Sequence, residues 1–159
     1  ALMSSTMPDQ STQPEPLAQV IATCQSMLQG RSITLDTDIP PDVDNSLTRR
    51  QRNLVALIVR EATTNIFKYA RAGTHANLTI EVPDEGGLAL MVTNEIDPAH
   101  DHARATLGGG FGLDNLTAQV ARDSGTLQYG SRGASWLLTA MIPPTPTATH
   151  TQSAEETPR

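Results

Sequence analysis

The stretch Arg60 to Ala70, REATTNIFKYA, closes a long segment that begins near Ser46 and has helical periodicity. At about 100° per residue, its apolar side chains fall on one stripe. This stripe consists of Val55, Val59, Ala62, Ile66 and Tyr69. The pattern predicts a central helix that lies against a sheet.

A second stripe on the same helix is polar and borders the apolar one. It contains Glu61, Asn65 and Lys68, whose spacings of four and three residues place them within roughly 60° of arc. Carboxylate and amide oxygens are ligands for Mg²⁺, and an ammonium group attracts phosphate. The row could therefore hold a metal-bound polyphosphate. The alternative, a solvated helix face, stays open on this pattern alone.

Composition limits the class of protein. The chain has 159 residues, of which 38% are hydrophobic, as expected for one domain with a single core. A net charge of −6 and an aromatic content of 3% argue against nucleic acid as a partner. Cys24 is the only cysteine, which excludes an internal disulfide and a cysteine-based zinc site.

The two ends of the chain differ in composition from the middle. Residues 1–16 are rich in Ser, Thr, Gln and Pro, and residues 144–159 in Pro, Thr and Glu, so we expect a disordered leader and a disordered tail around a folded domain at 17–143. No apolar run approaches roughly 18 residues, and no signal peptide pattern is present. We expect a cytoplasmic domain, either free or as the cytoplasmic part of a membrane sensor.

Periodicity and turn residues predict the remaining elements. Asn45 or Ser46 is expected to cap the central helix, and Asn94 is expected just past the end of a strand. In chain order, the predicted elements are a helix at 17–28, a strand at 33–35, the central helix from about 46 to 70 or 72, a hairpin of 77–82 with 88–92, a helix from 113, and a hairpin of 126–129 with 136–142.

A glycine-rich run directly precedes the predicted helix at Leu113. It reads Gly108-Gly109-Gly110-Phe111-Gly112. Glycines let backbone N–H groups approach an anion, and a helix N-terminus adds partial positive charge, so phosphate is the natural ligand. A flexible hinge is the alternative. The spacing excludes the phosphate loop that ends in Gly-Lys-Ser/Thr and the Gly-x-Gly-x-x-Gly of dinucleotide folds.

These motifs, in this order and over 17–143, resemble the ATP-binding catalytic domain of bacterial two-component sensor histidine kinases, in the GHKL superfamily shared with DNA gyrase and mismatch-repair ATPases. The nitrate- and desaturase-sensor-like subgroup is the most similar. Its motif Arg-Glu-Ala-x-x-Asn-x-x-Lys-His-Ala corresponds to residues 60–70, with Tyr69 in place of the histidine. The resemblance implies an α+β fold of the Bergerat type, a two-layer α/β sandwich with a mixed, mostly antiparallel sheet and helices on one face.

The resemblance also implies roles for individual residues. Asn65 would ligate Mg²⁺ together with Glu61, and Glu61 would act as the general base or assist it. Lys68 and Tyr69 would lie at the nucleotide, with Lys68 on phosphate. The phosphate-binding hinge of the lid would be formed by Gly108, Gly109, Gly110, Phe111, Gly112 and Leu113.

Two further positions depart from the family pattern. Where the family has Asp-x-Gly-x-Gly, this chain has Asn94-Glu95-Ile96-Asp97-Pro98, without either glycine. An asparagine amide can still pair with adenine, so Asn94 is expected to read the base, with Asp97 as the next candidate. Near the last strand, Ser135 takes the place of a Gly-Thr pair and would replace its hydroxyl.

The implied reaction is transfer of the γ-phosphoryl group of Mg-ATP to a histidine of a neighbouring dimerisation domain, with a response regulator downstream. No histidine lies in a two-helix segment before residue 17, so we expect the phosphoacceptor elsewhere and a monomeric chain here. Two alternatives stay open. One is a serine kinase of the anti-sigma type on the same fold, and the other is a degenerate nucleotide-binding interaction module.

Overall fold

The computed structural model describes residues 15–97 and 110–144. The predicted leader and tail fall almost entirely outside these residues. Within them, no helix combines the length and the apolar content that crossing a bilayer requires. The elements are α1 (Leu17–Gln29), β1 (Thr34–Asp38), α2 (Val43–Ser46), α3 (Arg49–Tyr69), β2 (His75–Glu81), β3 (Leu88–Glu95), α4 (Gly110–Arg122), β4 (Thr126–Arg132) and β5 (Ser135–Ile142).

The five strands form one sheet in the order β1-β2-β3-β5-β4. Strands β2 and β3, and strands β4 and β5, are antiparallel hairpins, which confirms both predicted hairpins. Strands β1 and β2 are parallel, because the central helix α3 connects them as a crossover. The mixed, mostly antiparallel sheet predicted from the sequence is therefore confirmed.

The helices cover one face of this sheet. Alternate residues of β3 are buried against them, among them Leu88, Leu90 and Val92. The intervening side chains point to the other face, where Met91 is 45% exposed and Met141 of β5 is 60% exposed. This alternation is typical of an antiparallel sheet covered on one side, and it confirms the two-layer architecture.

The central helix α3 buries the predicted apolar stripe. Val55, Val59, Ala62 and Ile66 are at most 2% exposed, while Tyr69 at the end of the stripe is half-buried. The helix ends at Tyr69 because the next residue, Ala70, turns to an extended conformation.

The predicted cap of α3 is wrong. Asn45 and Ser46 belong to the short helix α2, and α3 begins after Thr48. The Thr48 side chain accepts from the Gln51 N–H at 3.0 Å, and the Gln51 side chain accepts from the Thr48 N–H at 2.9 Å. This reciprocal capping box satisfies two backbone groups at once, which a lone Ser46 could not do.

Strands β1, β3 and β4 each continue three residues beyond their predicted ends. Strand β1 continues to Asp38, and β3 continues through Asn94 to Glu95, so Asn94 does not lie past the end of its strand. Asn94 is held in the ladder on both sides, opposite Ala76 of β2 and Trp136 of β5. Pairing on both sides outweighs the low strand preference of asparagine.

Helix α4 is joined to the sheet by a side-chain hydrogen bond. The Tyr129 hydroxyl of β4 donates to the Asp114 carboxylate at 2.7 Å. This bond raises the pKa of Tyr129 to about 12, with smaller contributions from burial and from the charge of Asp114. The protonated phenol is therefore the form that links α4 to β4.

The capping box predicts a measurable loss of stability. Replacement Thr48→Ala should lower the free energy of unfolding by about 1 kcal/mol, because the Gln51 N–H in the first turn of α3 loses its acceptor. Urea denaturation measures the change. Thr64→Ala on the same helix is the matched control, since the Thr64 hydroxyl only donates to the Arg60 carbonyl within the helix. Its free energy of unfolding should stay within about 0.5 kcal/mol of the parent. Equal losses in both variants would contradict the capping role.

The Tyr129–Asp114 bond predicts a pH dependence. Because the folded-state pKa lies above the ordinary value of about 10, the bond stabilises the fold fully below pH 10 and is lost as the pH rises through 12. Absorbance titration of a Tyr69→Phe variant, which leaves one tyrosine, should give a midpoint near 12. Adding Asp114→Asn should move the midpoint down towards 10. A midpoint near 10 already in the Tyr69→Phe protein would contradict the bond.

Candidate functional site

The polar stripe of α3 keeps its predicted arrangement but varies in depth. Glu61 is half-buried, Asn65 is only 5% exposed, and Lys68 is exposed. The stripe thus runs from the interior to the surface in two helical turns. A deeply placed amide beside an exposed cation is unusual for a solvated helix face, which was the alternative reading of this stripe.

Two buried amide oxygens in the described part of the chain have no hydrogen-bond partner. They are Oδ1 of Asn65 and Oδ1 of Asn94, and Asn94 is 6% exposed. The Asn94 amide does donate, from Nδ2 to the Glu95 carbonyl at 3.1 Å. Leaving a buried acceptor without a donor or a cation costs about 1 to 3 kcal/mol, so native proteins rarely tolerate it. Both oxygens belong to residues that the sequence singled out.

Backbone contacts bring these two asparagines to the same end of the domain. Ala70, just after α3, forms a bridge with Ile96, just after β3. The Arg71 N–H donates to the Glu95 carbonyl at 3.1 Å, and the Asp97 N–H donates to the Tyr69 carbonyl at 3.0 Å. The last turn of α3, which carries Lys68, is therefore fixed beside the end of β3, which carries Asn94.

The first turn of α4 closes the third side. The helix begins at Gly110, so part of the glycine run that was predicted as a loop is helical. A methyl group built on Gly112 would lie 2.1 Å from Glu61 Oε2 and 2.3 Å from Glu61 Cδ. A side chain at this position would force the Glu61 carboxylate, the mobile end of a long side chain, to move away. Leu113 next to it is fully buried and anchors the turn in the core.

Some predicted residues lie elsewhere or outside the described part of the chain. Ser135 pairs with Glu95 across the strands, and both are exposed on the sheet face away from the helices. Asn94 faces the helices instead, opposite the buried Trp136, so the structure does not bring Ser135 to the site. Gly108, Gly109 and the side chain of Phe111 lie outside the described residues.

Arg31 is a contributor that sequence reasoning missed. Its guanidinium donates to the Phe67 carbonyl and, at 3.3 Å, to the Ala70 carbonyl, and it lies 5.9 Å from the centre of the Phe67 ring. These carbonyls are at the C-terminal end of α3, where backbone acceptors lack partners within the helix and a cation is favoured. No periodicity in the sequence marks a residue of the α1–β1 connection as a partner of α3.

The side chains of the site can bind Mg²⁺ only together with ligands from another molecule. Among the described residues, no three His, Cys, Asp or Glu side chains are grouped as a metal site. Glu61 and the orphaned oxygen of Asn65 offer two hard oxygen ligands. Mg²⁺ prefers six and commonly takes the rest from phosphate and water. The residues therefore fit a metal that arrives with a polyphosphate.

One cavity in the described part of the chain lies away from these residues. It has a volume of about 430 Å³ and lies between the start of α3 and the end of α4, lined by Thr48, Arg50 and Arg122 among others. Thr48 is 17 residues before Asn65, which is roughly 25 Å along the helix. Neither Asn65 nor Asn94 lines this cavity, so the cavity is not the candidate site.

Solved histidine kinase structures have the same fold. AdeS of Acinetobacter baumannii superposes with a TM-score of 0.56 at 20% identity, over 79% of this chain and 61% of that one. A mycobacterial sensor histidine kinase, MprB, superposes with a TM-score of 0.56 at 17% identity, over 85% of this chain and 100% of that one. A blue-light activated histidine kinase of Erythrobacter litoralis superposes with a TM-score of 0.58 at 15% identity, over 84% of this chain and 42% of that one.

The chain thus spans about three fifths of the AdeS structure and less than half of the Erythrobacter litoralis kinase. At these identities the similarity establishes the fold, which is that of a histidine kinase catalytic domain. No protein-family model matches the sequence, and comparison with curated proteins gives no match.

The contacts of Arg31 predict that it stabilises the end of α3. Arg31→Met should lower the free energy of unfolding by about 1 to 3 kcal/mol, because carbonyls lose a charged donor. The free energy of unfolding of Arg31→Lys should lie between those of the parent and Arg31→Met. An ammonium keeps the charge but lacks the planar, forked donor geometry of a guanidinium. Urea denaturation provides the measurement, with Arg132→Met, an exposed arginine of the last hairpin, as control. Arg31→Met matching the control would rule out this role.

Proposed function

We propose that this domain, with its histidine kinase fold, binds Mg-ATP and transfers the γ-phosphoryl group to a histidine of a separate dimerisation domain in two-component signalling. The observation that carries the proposal is the pair of buried, unpartnered oxygens on Asn65 and Asn94. The oxygen of Asn65 would suit a metal ion, and the oxygen of Asn94 would suit a hydrogen bond from a nucleobase. Both lie where the sequence motif predicts ATP contacts.

The α3 stripe would handle the triphosphate. Asn65 Oδ1 would accept the metal as a ligand, and the exposed ammonium of Lys68 would attract phosphate oxygens from the lip of the site. Backbone N–H groups of the first α4 turn would face phosphate, as helix N-termini do. Magnesium, when bound with the nucleotide, supplies neutralisation of charge on the phosphates.

Glu61 would act on the proton of the acceptor. A histidine that attacks the γ-phosphorus through one ring nitrogen carries a proton on the other, and a carboxylate within reach can accept a hydrogen bond from it. Phosphoryl transfer needs little covalent help, so positioning by Glu61 and Lys68 supplies most of what the chain contributes. The absence of a side chain at Gly112 leaves room for Glu61 beside the first turn of α4, which would bind phosphate.

Asn94 would read the adenine. One of the two Nδ2 hydrogens donates to the Glu95 carbonyl, which holds the amide in one orientation and leaves Oδ1 as an acceptor for the exocyclic N6 amine. Guanine offers a carbonyl at the same position, and two acceptors cannot pair. The fixed amide orientation thus favours ATP over GTP.

Calorimetric titration with Mg-ATP tests both asparagines. Asn65→Ala should weaken binding by about 1 to 3 kcal/mol and Asn94→Ala by about 1 kcal/mol, with a lower ratio of ATP to GTP affinity in the second case. Asn94→Asp should bind ATP at least as well as the parent, because its hydrogen bond is charge-assisted. Asn77→Ala is the matched control, since Asn77 is exposed on β2. Unchanged affinity in Asn65→Ala would refute the metal role.

Radiolabelled ATP tests the transfer itself. The chain alone should stay unlabelled, and an added helical domain that carries a phosphoacceptor histidine should acquire acid-labile label. Label on a serine of an added anti-sigma antagonist would instead favour the serine kinase. Binding of ATP without any transfer would leave an interaction module.

A further inference from the structure

We infer that the Glu61 carboxylate occupies the phosphate-binding position of the site, so that a nucleotide must displace it to bind. This inference rests on the proposed function and adds an internal competitor to it. Glu61 would then have two opposed effects, since it assists transfer but weakens nucleotide binding.

The position of the carboxylate is the first observation. Glu61 reaches so close to α4 that a Cβ on Gly112 would meet Oε2, Cδ and Oε1 at 2.1, 2.3 and 2.8 Å. Gly112 is the third residue of α4, within the first turn, whose N–H groups have no partners inside the helix. The carboxylate therefore lies at a helix N-terminus, which attracts an anion.

The charge of the carboxylate is the second step. A helix N-terminus carries a partial positive charge that stabilises one anionic group close to it. A phosphate brought to the same turn would meet a like charge within a few ångströms, in surroundings that are half-buried and therefore weakly screened. The two anions exclude each other, and the carboxylate must rotate away first.

The buried asparagines provide an independent observation. Asn65 lies one helical turn beyond Glu61 on the same stripe, and its oxygen is sealed from solvent without a partner, as is that of Asn94. A ligand can reach these buried oxygens only after the groups that cover them have moved. Movement of Glu61 away from Gly112 would clear space beside Asn65.

Removal of the charge should therefore strengthen binding. We expect Glu61→Gln to bind metal-free ATP at least about fivefold more tightly than the parent, the lower end of typical coupling between a conformational change and a ligand. The metal is chelated in this arm because Glu61 is also a proposed Mg²⁺ ligand, and its loss would otherwise offset the gain. The difference should shrink at high salt.

Two further variants separate the cause. Gly112→Ala keeps the carboxylate but expels it from the turn, so it should also tighten binding, and the double variant should add little to either single one. Glu81→Gln removes a similar charge from the exposed face of β2 and should match the parent. Circular dichroism reports whether Gly112→Ala folds. If that variant does not fold, the comparison of Glu61→Gln with the parent alone tests the inference.

The outcomes distinguish the inference from the proposed function. Tighter binding by Glu61→Gln with an unchanged control supports the inference. Equal or weaker metal-free binding by Glu61→Gln overturns it, while Mg-ATP binding by the parent would leave the proposed function intact. Failure of every variant and the parent to bind Mg-ATP overturns both.

Discussion

The contact between the last turn of α3 and the end of β3 determines the geometry on which the site depends. Helix packing alone would allow α3 to slide or rotate over the sheet by a fraction of a turn. The bridge between Ala70 and Ile96, with two backbone hydrogen bonds beside it, removes that freedom. Arg31 fixes the same helix end from the other side. Two residues far apart in sequence, Asn65 and Asn94, thereby keep a constant relation.

The beginning of α3 is fixed by different means. The capping box of Thr48 and Gln51 sets the first residue of the helix, and the buried apolar stripe sets its rotation. With both ends and the rotation determined, the polar stripe has one possible position at the border of the core. The half-buried Glu61 and the exposed Lys68 follow from this placement rather than from local preference.

The sequence predicted what depends on periodicity and failed where long-range contacts decide. The stripes of α3 and the two hairpins follow from spacings of three, four and two residues. The cap was misplaced because Ser46 and Thr48 are both good capping residues, and only the glutamine side chain at Gln51 distinguishes them. The face of Ser135 depends on the register of β5 against β3, which no local pattern specifies. Arg31 was missed because its partners are 36 and 39 residues away.

The unpartnered oxygens of Asn65 and Asn94 also bear on how this sequence balances folding against use. A leucine at either position, with the same number of side-chain heavy atoms, would remove a desolvated acceptor from the core. Selection for stability alone would favour an apolar side chain there. Under the proposed function, the free fold accepts a lower stability, which is recovered when the nucleotide satisfies both oxygens. The thermal stability of this domain should accordingly depend on ligand concentration more than its core would suggest.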